Sequence, residues 1–253
     1  PSDITSNSNL DINTFINQPN NILGIEYIKA LMRFNSKINP VPLKRLGAGY
    51  HSLDTGTKLA SATGIRTAMA NKDNISGLLP DNCLNIIKNH TTIEYNDFST
   101  VLGSKLLSMD TLDHIEGINQ DLSNRIANNK YNFTDIETFI PMLQSKNYTY
   151  SAISRALLHI ILDIKTDDIK EFVNNNYAMI LGFTKKSGVL SEISKSTKIP
   201  LVSKFATFYK EADNNQRKML DINLKADNLY RMIYMNKTSE ILPTEFQRQI
   251  IIK

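Results

Sequence analysis

The sequence predicts an α/β unit followed by a mainly α-helical domain, and three observations carry that prediction. A strand-like segment, a glycine-containing loop and an alanine-rich helix opening on a serine follow one another between residues 38 and 70. Beyond residue 75, apolar residues recur at helical spacing, as in Phe98, Val101, Leu102 and Leu106, in Ile136, Phe139, Ile140 and Leu143, and in Ile153, Ala156, Leu157, Ile160 and Ile161. A shorter αβ passage returns near 177–204. The expected organisation is therefore a domain over 1–75 and a second over 76–253, the latter with a small αβ element near 177–204.

Residues 1–18 are rich in Ser, Asn and Asp and read as a lead-in. From Asn20, the apolar positions Ile22, Leu23, Ile25, Tyr27, Ile28 and Leu31 fit a helix, with Pro19 in its first turn, where a missing N–H costs little, and an end near Asn35. Ile38 to Leu46 reads as a strand interrupted by Pro40 and Pro42, hence a sheet edge or an extended lead-in, closed by Gly47 and Gly49. Ser61 stands at an N-cap position before the helix Ala62 to Ala70. Later, Tyr177 to Phe183 reads as a buried strand, Ser187 to Ser196 as a helix, Pro200 to Lys204 as another extended segment, and Asn214 to Tyr234 as helix. The pairs Asp167-Asp168 and Asp110 with Asp113 fall at expected helix starts, where carboxylates complement the macrodipole. Tyr148-Thr149-Tyr150 is read as packing before a helix rather than as a base-stacking platform.

With 41% hydrophobic and 21% charged residues and no apolar run near the length of a membrane helix, neither a disordered chain nor a membrane span is supported. The single cysteine, Cys83, excludes an intrachain disulfide and a cysteine-cluster metal site, makes a reducing cytoplasm the natural compartment, and is read as a half-buried helix residue. Charge is segregated. Residues 1–75 hold 8 Lys/Arg against 5 Asp/Glu, residues 76–183 hold 8 against 13, and residues 184–253 hold 13 against 7. Basic ends around an acidic middle fit a polyanion-binding surface, since neutralising phosphates needs clustered cations. Ordinary solvated surface fits the same distribution.

A helix N-terminus presents unpaired N–H groups and a partial positive charge, so Ser61 and Thr63 can hydrogen-bond a nucleotide phosphate and Arg66, one turn in, can add a charge-assisted contact. The same pattern describes a plain capped helix. Asn20 and Asn21 at another helix start can meet an adenine edge or a ribose, although simple capping explains one Asn, and Arg45 follows a strand where open α/β sheets bind ligands, a place that a merely exposed arginine fits as well. His51, His90, His114 and His159 do not fall at metal-ligand spacing, and no His-x-Gly-His turn, Walker loop or Gly-x-Ser-x-Gly elbow is present. No catalytic acid–base pair stands out.

Taken in order, Pro19-Asn20-Asn21-Ile22-Leu23-Gly24, Pro42-Leu43-Lys44-Arg45, Ser61-Ala62-Thr63-Gly64-Ile65-Arg66, Leu181-Gly182-Phe183-Thr184-Lys185-Lys186 and Pro200-Leu201-Val202-Ser203-Lys204 resemble the bacterial tRNA(Met) cytidine acetate ligases over nearly the whole chain. The resemblance implies the closing part of a nucleotidyltransferase-like (Rossmann-like) domain followed by a helical tRNA-binding domain. It implies activation of acetate with ATP, accompanied by Mg2+, and transfer of the acetyl group to N4 of the wobble cytidine of elongator tRNA(Met). On that reading Asn20 and Arg45 contact ATP, and Ser61, Thr63 and Arg66 are phosphate-side residues. Arg155, Lys185, Lys186 and Lys204 become candidates for tRNA phosphates. The family's His-x-Gly-His turn is expected upstream of Pro1, so the chain as given is expected to be inactive, or nearly so, without it. Two other readings stay open: a non-catalytic RNA-binding module, and a nucleotidyltransferase acting on a small cofactor precursor.

Overall fold

The computed structural model of the chain describes residues 16, 18–43, 60–172, 176–185 and 188–253, the side chains of 170–172 excepted. The chain divides into two units, Pro1–His90 and Thr91–Lys253.

In the first unit, helix α1 spans Pro19–Arg33 with Pro19 in its first turn. It stops because Asn35 takes a left-handed conformation (φ 47°), which lets the Ser36 N–H donate to the Leu31 carbonyl at 2.9 Å and the Asn35 N–H to Met32 at 3.1 Å. This double bond from the turn back onto the last carbonyls is the Schellman arrangement. The strand expected over Ile38 to Leu46 is described only as far as Leu43, and up to there it is unpaired extended chain. Of the two expected alternatives, the described part is the extended lead-in, since Pro40 and Pro42 have no N–H to give to a ladder. Lys44, Arg45, Gly47, Gly49 and His51 lie outside the described residues.

Helix α2, Ala62–Ala70, is capped by Ser61 and ends by the same left-handed device at Lys72 (φ 61°), with the Asp73 N–H donating to Ala68 at 2.8 Å. Helix α3, Asp81–Asn89, buries Leu84 and leaves Cys83 half-buried, as expected.

The second unit is a helical core with a small αβ element. A 3₁₀ turn at Tyr95–Phe98 leads into α4, Ser99–Ser108, and then come α5 (Gln120–Asn129), α6 (Ile136–Leu143), α7 (Tyr150–Leu162) and α8 (Thr166–Phe172). The side-chain oxygens of Asn119, Asp135 and Thr149 cap α5, α6 and α7. The apolar positions read from the sequence converge: Leu102, Leu106, Ile136, Phe139, Ile140, Leu143, Ile153, Leu157 and Ile160 are all at most 2% exposed and form one cluster. Tyr148 packs against this cluster and donates from its hydroxyl to Asn119 Oδ1 at 2.6 Å, consistent with packing.

Asp167 and Asp168 sit in the first turn of α8. Asp110 and Asp113 do not start a helix. They belong to an irregular segment that is pinned instead by burial of Leu112, Ile115 and Ile118 and by the bond from the Glu116 N–H to the Ile164 carbonyl at 3.0 Å.

The segment expected as one buried strand from Tyr177 to Phe183 is half exposed and changes partner midway. Strand β1, Ala178–Met179, pairs in parallel with β3, Leu201–Val202; strand β2, Gly182–Phe183, pairs in parallel with β4, Ile251–Ile252. Gly182 is required at the second pairing, because a Cβ there would stand 2.7 Å from the Ile251 carbonyl oxygen. Helix α9, Val189–Ser196, is the crossover between β1 and β3. Helix α10, Phe205–Glu211, and the long α11, Asn214–Thr238, follow. Phe205, Phe208, Tyr209 and Tyr177 pack with Leu220 into a second, smaller apolar cluster. Among the described residues, no helix is long and apolar enough to cross a membrane.

Candidate nucleotide and RNA contacts

The Ser61 turn shows how a helix start can serve both fold and ligand. Ser61 is 1% exposed and its hydroxyl oxygen accepts from the Gly64 N–H at 2.9 Å, while the Ile65 N–H makes the first intrahelical bond to the Ser61 carbonyl at 2.9 Å. The cap therefore occupies the Gly64 donor. What an anion can reach is the turn ahead of it, the N–H groups of Ala62 and Thr63 and the half-buried Thr63 hydroxyl. Arg66 is exposed, forms no ion pair among the described residues, and follows Thr63 by three residues, which puts the two on the same face of the helix.

Asn20 is exposed at the second position of α1, behind Pro19, whose ring nitrogen offers no donor. The Asn21 and Ile22 N–H groups both bond the Gln18 carbonyl at 2.9 Å. Asn20 and the Ser61 turn thus open two helices of the same unit, and Arg45 is outside the described residues.

In the second unit, Arg155 is exposed on α7, on the side away from the buried Ile153, Ala156, Leu157 and Ile160. Lys185 and Lys204 are exposed, each just past the C-terminal end of a strand, β2 and β3 respectively. That end of a parallel pairing is where open α/β folds collect ligands. The Lys185 N–H donates to the Lys253 carbonyl at 2.9 Å, which fixes its backbone. Lys186 is outside the described residues. Arg155 therefore belongs to the helical core, and Lys185 and Lys204 to the αβ element.

The sequence reading missed Lys225. Its ammonium donates to the Leu162 carbonyl, the last of α7, at 2.6 Å, across 63 residues of sequence. Partial burial holds it below the ordinary lysine value, Asp163 opposes that, and the neighbouring Lys105 and Lys165 add to it by repulsion. No local pattern reports such a cluster, because it is assembled by the packing of α11 on α7 and α8. His159 is a structural histidine: Nδ1 lies 2.8 Å from the Glu116 carbonyl oxygen. Among the described residues no group of three or more His, Cys, Asp and Glu could hold a metal.

The family description "HIGH Nucleotidyl Transferase" matches residues 2–244. The chain belongs to that family. It is 31% identical over 239 residues to the tRNA(Met) cytidine acetate ligase of Thermoanaerobacter sp. (strain X514), covering 91% of this chain and 59% of that protein. It is 35% identical over 225 residues to the tRNA(Met) cytidine acetate ligase of Caldanaerobacter subterraneus subsp. tengcongensis, covering 86% and 56%. The chain thus spans less than two thirds of the length of these relatives. Two crystal structures of Thermotoga maritima TmcAL share the fold at 23% identity, each covering 94% of this chain and 61% of theirs: an apo form with TM-score 0.81 and a form bound with alpha-thio ATP with TM-score 0.80.

Proposed function

We propose that this chain is the ATP-closing and tRNA-binding part of a tRNA(Met) cytidine acetate ligase. The observation that carries the proposal is the similarity to ligases of that name over some nine tenths of the chain. The exposed Asn20 and Arg66 at two helix starts, and a basic final third, support it physically.

In the proposed reaction an acetate oxygen attacks the α-phosphorus of Mg2+-bound ATP, pyrophosphate leaves, and acetyl-adenylate forms. The N4 amine of the wobble cytidine of elongator tRNA(Met) then attacks the acetyl carbon. AMP leaves, and the amine gives up a proton. Asn20 and Arg45 contact ATP, while Thr63 and Arg66, with the turn that Ser61 caps, face its phosphates. Arg155, Lys185, Lys186 and Lys204 contact tRNA phosphates, which position the tRNA without reading its bases. The compartment is the cytoplasm, where tRNA is modified and a lone thiol stays reduced.

The sequence contains no His-x-Gly-His pair, so the 253-residue chain alone is expected to form no N4-acetylcytidine from acetate, ATP and tRNA(Met). The deciding measurement is ATP affinity by calorimetry in the longest natural polypeptide that contains this sequence. There, Arg45→Ala is expected to weaken binding at least tenfold, the scale of one lost charge-assisted hydrogen bond, roughly 1.5–3 kcal/mol. Wild-type affinity in that variant would overturn the assignment.

A further inference from the structure

The helical unit has a groove on the outer side of its core, lined in part by Phe98, Leu158, Leu162 and Leu229, which also pack against that core, and the expected phosphate contacts do not use it. It opens between α7 and α11, has a volume of about 320 Å3, and is lined by Phe98, Leu158, Leu162, Asp227, Leu229 and Tyr230. That volume lies at the lower end of the range for pockets that hold small ring systems, roughly 300–1,000 Å3. Two of the lining side chains are aromatic.

Leu162 connects this groove to a set of cations. Its side chain lines the groove while its carbonyl oxygen holds the Lys225 ammonium at 2.6 Å. Lys105 and Lys165 stand close enough to repel that ammonium, and Asp163 is the carboxylate that attracts it. None of the three lysines forms an ion pair among the described residues. Three ammonium groups thus gather, with the carboxylates of Asp163 and Asp168 among them, at the Leu162 end of an apolar, aromatic-lined groove.

This juxtaposition is the chemistry of single-stranded nucleic acid recognition: ammonium groups for the backbone, and aromatic and apolar faces for an unstacked base. A purely apolar partner helix would gain nothing from the lysines, and duplex RNA keeps its bases out of reach. We propose that the groove takes one unpaired base of a single-stranded RNA segment, stacked against Phe98 and Tyr230, with the adjoining phosphates on Lys225, Lys165 and Lys105. The inference rests on the reading that this unit binds tRNA, and adds to it a position where a base, rather than the backbone alone, is held.

The test uses the whole 253-residue chain, with far-UV circular dichroism and thermal melting of each variant to confirm folding. The probes are labelled elongator tRNA(Met), a single-stranded oligoribonucleotide of ~12 nucleotides and a duplex of the same length. The single strand is expected to bind more tightly than the duplex. Ala226→Phe, which fills the groove, is expected to lower single-strand affinity roughly tenfold with an unchanged salt dependence, the loss of one stacked base. Lys165→Ala is expected to do the converse, lowering the slope of log affinity against log salt by about 0.7. If tRNA binds but Ala226→Phe leaves both tRNA and single-strand affinity unchanged, or the duplex competes equally, the groove assignment is overturned while the tRNA reading survives. If the wild-type chain binds none of the three probes, both are overturned.

Discussion

Between Thr91 and Lys253, Leu102, Ile126, Phe139, Ile140, Ile153 and Ile160 meet in one cluster, all at 0% exposure. In the other unit the buried residues, among those described, are small or isolated: Ser61, Gly64, Ala68 and Leu84. Helix α1 there buries nothing, and Tyr27, Met32 and Phe34 are 64%, 77% and 77% exposed. Both units contain helices with apolar residues at the right spacing. The difference teaches that spacing specifies a helix, whereas burial depends on whether other elements present matching faces. In the second unit α4, α6 and α7 do so for one another.

The largest effect expected on this comparison is Phe139→Ala. The ring is wholly buried and meets Phe133 edge-on at 5.1 Å between centroids, so its removal is expected to cost about 3–5 kcal/mol of the second unit's stability. Urea titration followed by hydrogen exchange should show the second unit unfolding earlier while the amides of α2 keep their protection. Simultaneous loss of both would break the division into two units. A smaller effect is expected from Ser61→Ala, which removes the cap on the Gly64 N–H. Its cost is about 0.5–2 kcal/mol, confined to the first unit and readable as faster exchange at Gly64 and Ile65.

The smallest effect concerns the tie between α11 and the start of the helical core. Lys237 Nζ lies 2.7 Å from Asp97 Oδ2, and the same carboxylate accepts from the Glu94 N–H at 2.6 Å. Burial raises the Asp97 carboxyl, but the bonds from Lys237 and the Glu94 N–H lower it more, leaving it below its ordinary value of 3.8. A depressed carboxyl stabilises the fold fully above that ordinary value and loses the contribution as pH falls through the depressed one. Asp97→Asn is therefore expected to cost about 0.5–1 kcal/mol at neutral pH and nothing once the wild-type carboxyl is protonated, measured as thermal midpoints against pH.

Much of the secondary structure was legible because its signals are local. Pro19 and Ser61 mark helix starts within a few residues, and the apolar stripes of α6 and α7 are complete in the sequence. The errors arose where distant partners decide. Asp110 and Asp113 resemble a helix start, yet the segment is held by burial of Leu112, Ile115 and Ile118. Tyr177 to Phe183 resembles one strand, yet β1 and β2 pair with segments that come much later in the chain. Among the site candidates, Ser61 was legible as a cap, and the exposure of Arg155 follows from the helical period of its buried neighbours. Lys225 was not legible, since a lysine on a long helix looks the same whether or not its ammonium meets a carbonyl 63 residues away.

The sequence by itself determined the helices and their caps, the family, and which residue types are available to an ATP phosphate or an RNA backbone, because propensity, capping and charge are properties of short stretches of chain. Only the tertiary structure decided which apolar faces are covered, where the segment after Tyr177 finds its two partners, and that Lys105, Lys165 and Lys225 gather beside an apolar groove. Those outcomes are set by contacts between elements far apart in sequence, where close packing and hydrogen-bond geometry select among arrangements that local pattern leaves equivalent.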